Sequence, residues 1–256
     1  MAQIRFLFLI TICMTFELSA SDSNRPADQK GNTAKPDSGS PGPLRGHPTS
    51  GILQFDNSPI VTVHQLEHSP PNKARRAYSK GRRFLEKEQF SEAITWLGEA
   101  VAIDLEYTEA HNDLAVAYMK AGTPDQAIPL LNSAIHFDPR WRLAYFNLVM
   151  AYLSLNDLSQ AECTARRMAE IDARSPQASF VLGLSLTVEN RFTSEAQAAL
   201  MRAEPEFPEA SLLLSRIFAS RGEIESAKLK IIEYLASPAV WGREVASEWL
   251  ALLDEK

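Results

Sequence analysis

The amino-acid sequence predicts an all-α solenoid in which short pairs of helices stack side by side. The first observation is a series of small residues, three steps of 34 positions and one of 32, at Gly81, Ala115, Val149, Gly183 and Ser215. The second is a series of larger apolar residues three places later, at Phe84, Tyr118, Tyr152, Leu186 and Phe218. A unit of this length holds two helices and a turn. Such a unit cannot bury an apolar face alone, so neighbouring units must stack.

The overall composition is that of a globular protein with no general basic field. The 256 residues are 45% hydrophobic and 23% charged, and the formal net charge is -6. Proteins that bind nucleic acid generally carry clustered positive charge, so we expect no nucleic-acid partner.

Residues 1–20 have the pattern of a secretory signal peptide. Arg5 precedes an apolar run from Phe6 to Phe16, and the segment ends with the small residues Ser19 and Ala20. This run is too short to cross a hydrocarbon core of about 30 Å as a helix. We therefore expect an exported protein, periplasmic or secreted, with no integral membrane segment after cleavage. An uncleaved membrane anchor is the alternative.

Two further segments precede the helical units. Residues 21–50 contain no aromatic residue, and 14 of these 30 positions are Ser, Pro or Gly, which predicts a disordered linker. Residues 51–73 contain the β-branched run 60–66, which predicts an extended arm. Since we find no other strand candidate to pair with this run, we expect it to pack on the first helices or to remain mobile.

Helical periodicity begins after Asn72 and defines five units over residues 74–236. The second helix of successive units is marked by alanines one repeat length apart with an apolar residue four places on, as in Ala93 with Leu97 and Ala127 with Leu131. The fourth unit departs from this spacing, because Ala196 follows Ala161 by one position more than the repeat length. We expect an extra residue in its turn near Phe192 and a shortened second helix.

The last segment, 237–256, predicts a helix that caps the stack. Trp241, Val245, Trp249 and Leu252 form an apolar stripe at helical spacing. Trp249 stands where earlier units carry a small residue. A bulky side chain there would obstruct another stacked unit but covers the exposed end of the last one.

Residues 74–241 resemble five tetratricopeptide repeats. The second unit carries the fullest form of the motif, in Leu114, Ala115, Tyr118, Ala127, Leu131, Ala134 and Pro139. The resemblance covers about two thirds of the chain. It implies a right-handed α-solenoid that binds a protein or peptide in a groove formed by the first helix of each unit.

The resemblance also implies which residues face that groove. We take the candidate partner-binding residues to be Tyr78, Arg82, Asn112, Met119, Phe146, Met150, Phe180 and Leu184. The helices around residues 143–155 and 180–188 are apolar on nearly all sides. Each of these helices therefore has a second apolar face besides the one that packs against its partner helix. Two interpretations of this second apolar face stay open. Neighbouring helices or the arm cover it, or it forms a groove for an apolar or amphipathic peptide.

The sequence lacks the motifs that would indicate catalysis. There is no glycine-rich phosphate loop, serine elbow or thiol–histidine signature. His64 and His68 are four positions apart, but the residues between them are predicted to be extended, which would hold the two rings too far apart to share a metal. We therefore expect no cofactor, no metal and no small-molecule substrate. His111 is expected to occupy the interface slot that Tyr145 holds in the next unit, and Cys163 to be a packing residue.

One charge feature has two interpretations. A basic cluster precedes and fills the first helix, with Lys73, Arg75, Arg76, Lys80, Arg82 and Arg83. In the first, the cluster only keeps an exposed helix in contact with solvent. In the second, it binds an acidic segment of a partner or a phosphate-rich surface.

The sequence favours a non-enzymatic adaptor in the cell envelope or secreted, which holds a protein or peptide on the concave face of its repeats. The alternative is a structural subunit of an envelope assembly, which would use whole faces of the solenoid. An enzyme of unrecognised type is the third and least supported interpretation.

Overall fold

A computed structural model of the chain describes residues 52–53, 61–62, 68–237 and 243–254. Within these ranges it contains eleven α-helices and a pair of short β-strands. The predicted signal peptide at 1–20 and the predicted linker at 21–50 lie outside the described residues, as does most of the arm. None of the described helices is both long and apolar enough to span a membrane.

Ten of the helices form five consecutive helix–turn–helix pairs, each packed against the next pair along the chain. The pairs are α1 (Asn72–Glu86) with α2 (Phe90–Ile103), α3 (Thr108–Lys120) with α4 (Pro124–Phe137), α5 (Arg142–Ser154) with α6 (Leu158–Ile171), α7 (Pro176–Val188) with α8 (Ser194–Ala203), and α9 (Glu209–Ser220) with α10 (Ile224–Ala236). The prediction of an all-α solenoid of five units is confirmed.

The core lies between the helices of each pair and continues into the next. Ala93 and Leu97 are fully buried on α2, and Ala127 and Leu131 are fully buried on α4. The second helices therefore use the predicted stripe to pack against their partners.

One residue with a positive φ angle recurs in the turn between the two helices of every unit. Gly122 and Gly222 adopt positive φ angles of 84° and 77°. The equivalent positions in the other units, Glu88, Asn156 and Asn190, have φ angles of 60°, 57° and 57°. Glycine and asparagine tolerate this left-handed conformation, whereas a glutamate is strained by it.

A second recurrent turn joins each of the first three units to the next. Asp104, Asp138 and Asp172 are each one repeat length apart. Each Oδ1 accepts a hydrogen bond from the backbone N–H two positions later, at 3.2, 3.2 and 3.1 Å. These side chains hold the chain in the bend after α2, α4 and α6. The next unit therefore starts from the same geometry each time.

The fourth unit departs from the others where predicted, but its turn gains two residues and not the one expected. Its turn comprises residues 189–193, whereas the other units use three residues, and α8 has only 10 residues. The side chain of Thr193 accepts a hydrogen bond from the N–H of Ala196 at 3.2 Å and so caps this short helix.

The last helix, α11 (Arg243–Asp254), packs on α10 at the end of the stack. Trp249 and Leu250 are partly buried against a cluster that includes Ile231 and Tyr234. The prediction of a capping helix after the fifth unit is confirmed for these residues, and Trp241 lies outside the described part.

The expectation that the arm lacks a partner strand is wrong. β2 (Val61–Thr62) pairs antiparallel with β1 (Ile52–Leu53), with Ile52 opposite Thr62 and Leu53 opposite Val61. Each strand has two residues, which is shorter than the four to eight residues that an apolar or alternating pattern needs in order to be recognised.

Candidate partner-binding groove

The first helices of the units form one continuous row. Each of α1, α3, α5 and α7 contacts the first helix of the next unit directly, in addition to its own partner. The eight candidate residues all lie on these four helices. They therefore lie along one row of adjacent helices.

Accessibility divides these candidate residues into two groups. Arg82 on α1 is exposed, with 54% of its side chain accessible, and Tyr78, Met119 and Phe146 are half-buried. The other four candidates are buried: Asn112, Met150, Phe180 and Leu184 are 2%, 3%, 8% and 2% accessible. The accessible candidates lie on α1, α3 and α5, and we call them the open half. The buried Met150, Phe180 and Leu184, on α5 and α7, form the closed half, and the buried Asn112 lies beneath the open half.

The closed half belongs to the largest apolar cluster among the described residues. Met150, Phe180 and Leu184 all lie in this cluster, and the ring of Phe180 stacks on that of Phe207 at a centroid distance of 4.7 Å. Every residue of α7 from Ala178 to Thr187 is buried. The burial of these three side chains favours the interpretation that the second apolar face is covered. Their role as anchors for a partner stays a prediction, and it requires this region to open.

A polar network lies under the open half. The hydroxyl of Tyr78 donates to Asp113 Oδ2 at 2.8 Å, and Arg82 Nε lies 3.6 Å from the same oxygen. Asn112 Nδ2 donates to the other oxygen, Asp113 Oδ1, at 3.2 Å. Asn147 Nδ2 donates to Asn112 Oδ1 at 2.7 Å. The network therefore connects α1, α3 and α5 through side chains alone.

The protonation of this network follows from its burial. Burial raises the pKa of Tyr78 well above its ordinary value, and the neighbouring Asp113 raises it further. Tyr78 is therefore protonated at neutral pH and donates its hydrogen bond to Asp113. Burial also raises the pKa of Asp113, against the opposing effect of the hydrogen bonds from Tyr78 and Asn112.

Sequence reasoning missed this network as a unit. It singled out Tyr78, Arg82 and Asn112 but did not connect them through Asp113 and Asn147. The sequence signal is the spacing, because Asp113 and Asn147 are one repeat length apart and so occupy the same position in successive first helices. When a polar residue recurs at a repeat position that faces the neighbouring first helix, it indicates a polar contact between units.

The prediction for His111 is confirmed in detail. His111 Nε2 lies 2.9 Å from the carbonyl oxygen of Leu105, and the hydroxyl of Tyr145 donates to the carbonyl oxygen of Pro139 at 3.1 Å. Tyr145 and Pro139 lie one repeat length after His111 and Leu105, so the two hydrogen bonds are equivalent. The Nδ1 atom of His111 is buried and has no hydrogen-bond partner among the described residues. Burial lowers the pKa of this histidine, so its neutral form is favoured.

The described residues show no constellation typical of catalysis. No group of three or more His, Cys, Asp or Glu side chains in the described ranges is placed to hold a metal ion. Cys163 has an exposed, free thiol on the second helix α6, so the expectation that it is a packing residue is wrong. Its helix presents it to solvent because the apolar stripe passes through Ala161 and Ala165 instead.

Comparison with known proteins identifies the repeat. Residues 81–122, the end of α1 through the turn after α3, match the family model described as TPR repeat. A tetratricopeptide repeat-containing protein of Caenorhabditis elegans, trd-1, is 23% identical over 172 residues, which is 63% of this chain. The match spans only 22% of that relative's length.

Solved structures share the fold. A thermophilic TPR protein of Thermus thermophilus superposes with a TM-score of 0.57 at 19% identity, covering 72% of this chain and 100% of the other. The protein pilF of Pseudomonas aeruginosa superposes with a TM-score of 0.60 at 18% identity, covering 72% of this chain and 85% of the other. At such identities, these likenesses establish the fold alone.

Proposed function

We propose that this chain is a non-enzymatic tetratricopeptide repeat scaffold that holds a protein or peptide partner along the first helices of units one to three. The tetratricopeptide fold supports a role in protein–protein interaction. The observation that carries the narrower assignment is the contrast in accessibility along the row of first helices. Among the candidates, only the open half combines accessible side chains with a preorganised polar base.

The chemistry of the open half defines the kind of segment that it accommodates. At its α1 end, the exposed guanidinium of Arg82 and the partly exposed Asp113 offer a charged and hydrogen-bonding surface. Toward α5, the half-buried Met119 and Phe146 offer an apolar surface that packs on the core. We therefore propose an amphipathic segment whose apolar residues contact Met119 and Phe146 and whose polar residues contact Arg82.

The rigidity of the surface favours binding without large rearrangement. Tyr78, Asp113, Asn112 and Asn147 are already joined by hydrogen bonds of 2.7 to 3.2 Å. A surface that is ordered before the partner arrives loses less conformational entropy on association.

Site-specific photocrosslinking tests this proposal. A photoreactive phenylalanine analogue is placed at Arg82, Met119 or Phe146 in the full chain, which is then expressed in its native host. The matched controls carry the analogue at Gln126 and Leu229, two exposed positions on the second helices α4 and α10. We expect one partner to crosslink at the three groove positions and not at the controls. Equal crosslinking at all five positions, or crosslinking only at the controls, would contradict the proposal.

We also propose that the protein works outside the cytoplasm, as an adaptor in the cell envelope or in secreted form. This part rests on the pattern of residues 1–20, with Arg5 before the apolar run from Phe6 to Phe16. Fractionation of the native host, with mass determination of the mature protein, tests it. We expect a product that lacks the predicted signal peptide and is recovered outside the cytoplasmic fraction. An uncleaved cytoplasmic product would contradict it.

A further inference from the structure

The first helix carries a row of cations on the flank that faces away from the groove. Lys73, Arg76, Lys80 and Arg83 on α1 and Lys87 directly after it are spaced by three or four positions, and all five are exposed. At about 100° per residue, this spacing aligns them on one side of α1, roughly 160° around the helix from Tyr78 and Arg82. We call this row the basic stripe.

The concentration of charge in α1 contrasts with the rest of the chain. Residues 72–87 contain seven Lys and Arg and the single acidic residue Glu86, a local net charge of +6 in a chain whose net charge is -6. Since the remainder of the protein is acidic, this charge does not reflect a general preference for basic residues.

Most of the stripe is not neutralised within the described part of the protein. Lys80 lies over the ring of Trp96, with Nζ 3.4 Å from the centroid. Glu86 pairs with Arg82, which is not part of the stripe. Lys73, Arg76, Arg83 and Lys87 form no ion pair with any described residue. Like charges held in a row repel one another, so a bound anion would relieve an existing electrostatic cost.

We propose that the basic stripe is a second binding surface, and that its partner is an acidic segment of another protein. The stripe is one residue wide and ~21 Å long at about 1.5 Å per residue, which matches a single extended or helical segment that carries several Asp or Glu. Arg76 and Arg83 supply planar guanidinium groups suited to paired contacts with carboxylates.

The structure favours this partner over the two other common polyanions. A membrane surface calls for apolar side chains that insert beside the cations, whereas the large apolar residues of α1, Phe84 and Leu85, are half-buried in the protein. Single-stranded nucleic acid calls for exposed aromatic rings on which bases stack, and the neighbouring ring of Trp96 is covered by Lys80.

The basic stripe and the groove are separate surfaces. The stripe therefore allows the protein to hold two segments at once, or two parts of one partner, on opposite flanks of α1. Linked contacts of this kind raise the apparent affinity without new interactions at either site.

The test compares two double substitutions in the full chain. The stripe variant is Arg76→Gln with Arg83→Gln. The matched control is Arg167→Gln with Arg174→Gln, which removes the same charge from two arginines that are also exposed and form no ion pair with a described residue. The probe is a short fluorescein-labelled oligoglutamate peptide, with binding followed by fluorescence anisotropy at rising NaCl concentration.

We expect the stripe variant to bind the probe about fivefold more weakly than the unaltered chain, as the loss of two exposed ion pairs implies. The control should change affinity by less than about twofold, and binding should weaken with salt. Equal weakening in both variants, or no weakening in either, would overturn the proposal. Vesicles of phosphatidylcholine with phosphatidylglycerol, and oligothymidylate, are tested alongside. Tighter binding of either of these through the same two arginines would overturn the assignment to a protein segment.

Discussion

Leu97 occupies the space into which a side chain at position 81 would project. A Cβ atom on Gly81 would lie 2.6 Å from Leu97 Cγ and 2.9 Å from the Leu97 backbone nitrogen. Gly183 stands in the same relation to Leu200, at 2.5 Å. The small residue at this point of a unit therefore lets its two helices approach closely. The facing residue on the second helix limits how large this small residue can be.

The first prediction concerns this close approach. Gly81→Ala should lower the free energy of unfolding by about 1 to 3 kcal/mol, because the added methyl group displaces Leu97 and the α2 backbone. Gly98→Ala is the matched control, since a Cβ there would meet no heavy atom within 4 Å. That change should raise stability by about 0.5 to 1 kcal/mol because Gly98 lies inside a helix. Urea denaturation of both variants measures the difference, and effects of the same sign would refute this account.

The second prediction concerns the turn between α1 and α2. Glu88 has a φ angle of 60°, in the conformation that Gly122 and Gly222 adopt in other units. Glu88→Asn should raise the free energy of unfolding by about 0.5 to 1 kcal/mol, since asparagine tolerates this conformation better. Glu88→Gln serves as the control, because it removes the same charge and keeps the strain. Thermal denaturation should show a gain for asparagine alone, and an equal gain for both would assign the effect to charge.

The third prediction concerns pH. Burial lowers the pKa of His111 below its ordinary value of 6.5. The unfolded chain therefore binds a proton at a higher pH than the folded protein, and this contribution to stability is present above about 6.5 and is lost as the pH falls through the folded pKa. His111→Tyr should abolish this loss, because Tyr145 makes the equivalent hydrogen bond in the next unit.

Thermal midpoints measured between pH 7.5 and 4.5 check the third prediction. His136→Tyr, at an exposed position of α4, is the control and should keep the acid-dependent loss of the unaltered chain. If His111→Tyr kept the same loss, His111 would not be its origin.

The fourth prediction concerns the hydrogen bond between first helices. Asn147 Nδ2 donates to Asn112 Oδ1 at 2.7 Å, and both side chains are buried. Asn147→Ala should cost about 1 to 3 kcal/mol of unfolding free energy, since it leaves a buried oxygen of Asn112 without its donor. The double variant with Asn112→Ala should cost less than the two single changes added together. Strict additivity in urea denaturation would show that the two amides do not stabilise each other.

The sequence was sufficient to predict the helices and their pairing into units. Ala93, Leu97, Ala127 and Leu131 recur at the helical period, and all four are buried where that period places them. Helix formation and the burial of one stripe depend on residues three to seven positions apart, so their signal is local. The longer turn and shorter helix of the fourth unit were predictable for the same reason.

The groove was less predictable than the helices that form it. The repeat spacing placed Arg82, Met119, Phe146, Met150 and Leu184 on one row of helices. It did not distinguish the accessible Arg82 from the buried Met150 and Leu184, because periodicity identifies the faces of a helix and not what covers a second apolar face. The pairing of Ile52–Leu53 with Val61–Thr62 escaped prediction for a related reason, since strand pairing joins residues that the local pattern does not connect.

The amino-acid sequence by itself determined the repeat length, the small residue where paired helices touch, and the shift of spacing in the fourth unit, since each follows from neighbours along the chain. Only the tertiary structure decided that Tyr78, Asp113, Asn112 and Asn147 join three helices, that Leu97 sets the size limit at Gly81, and that the groove is open in its first half. The physical reason is that burial and hydrogen bonding between units depend on distances across the stack. Those distances exist only once the helices have packed.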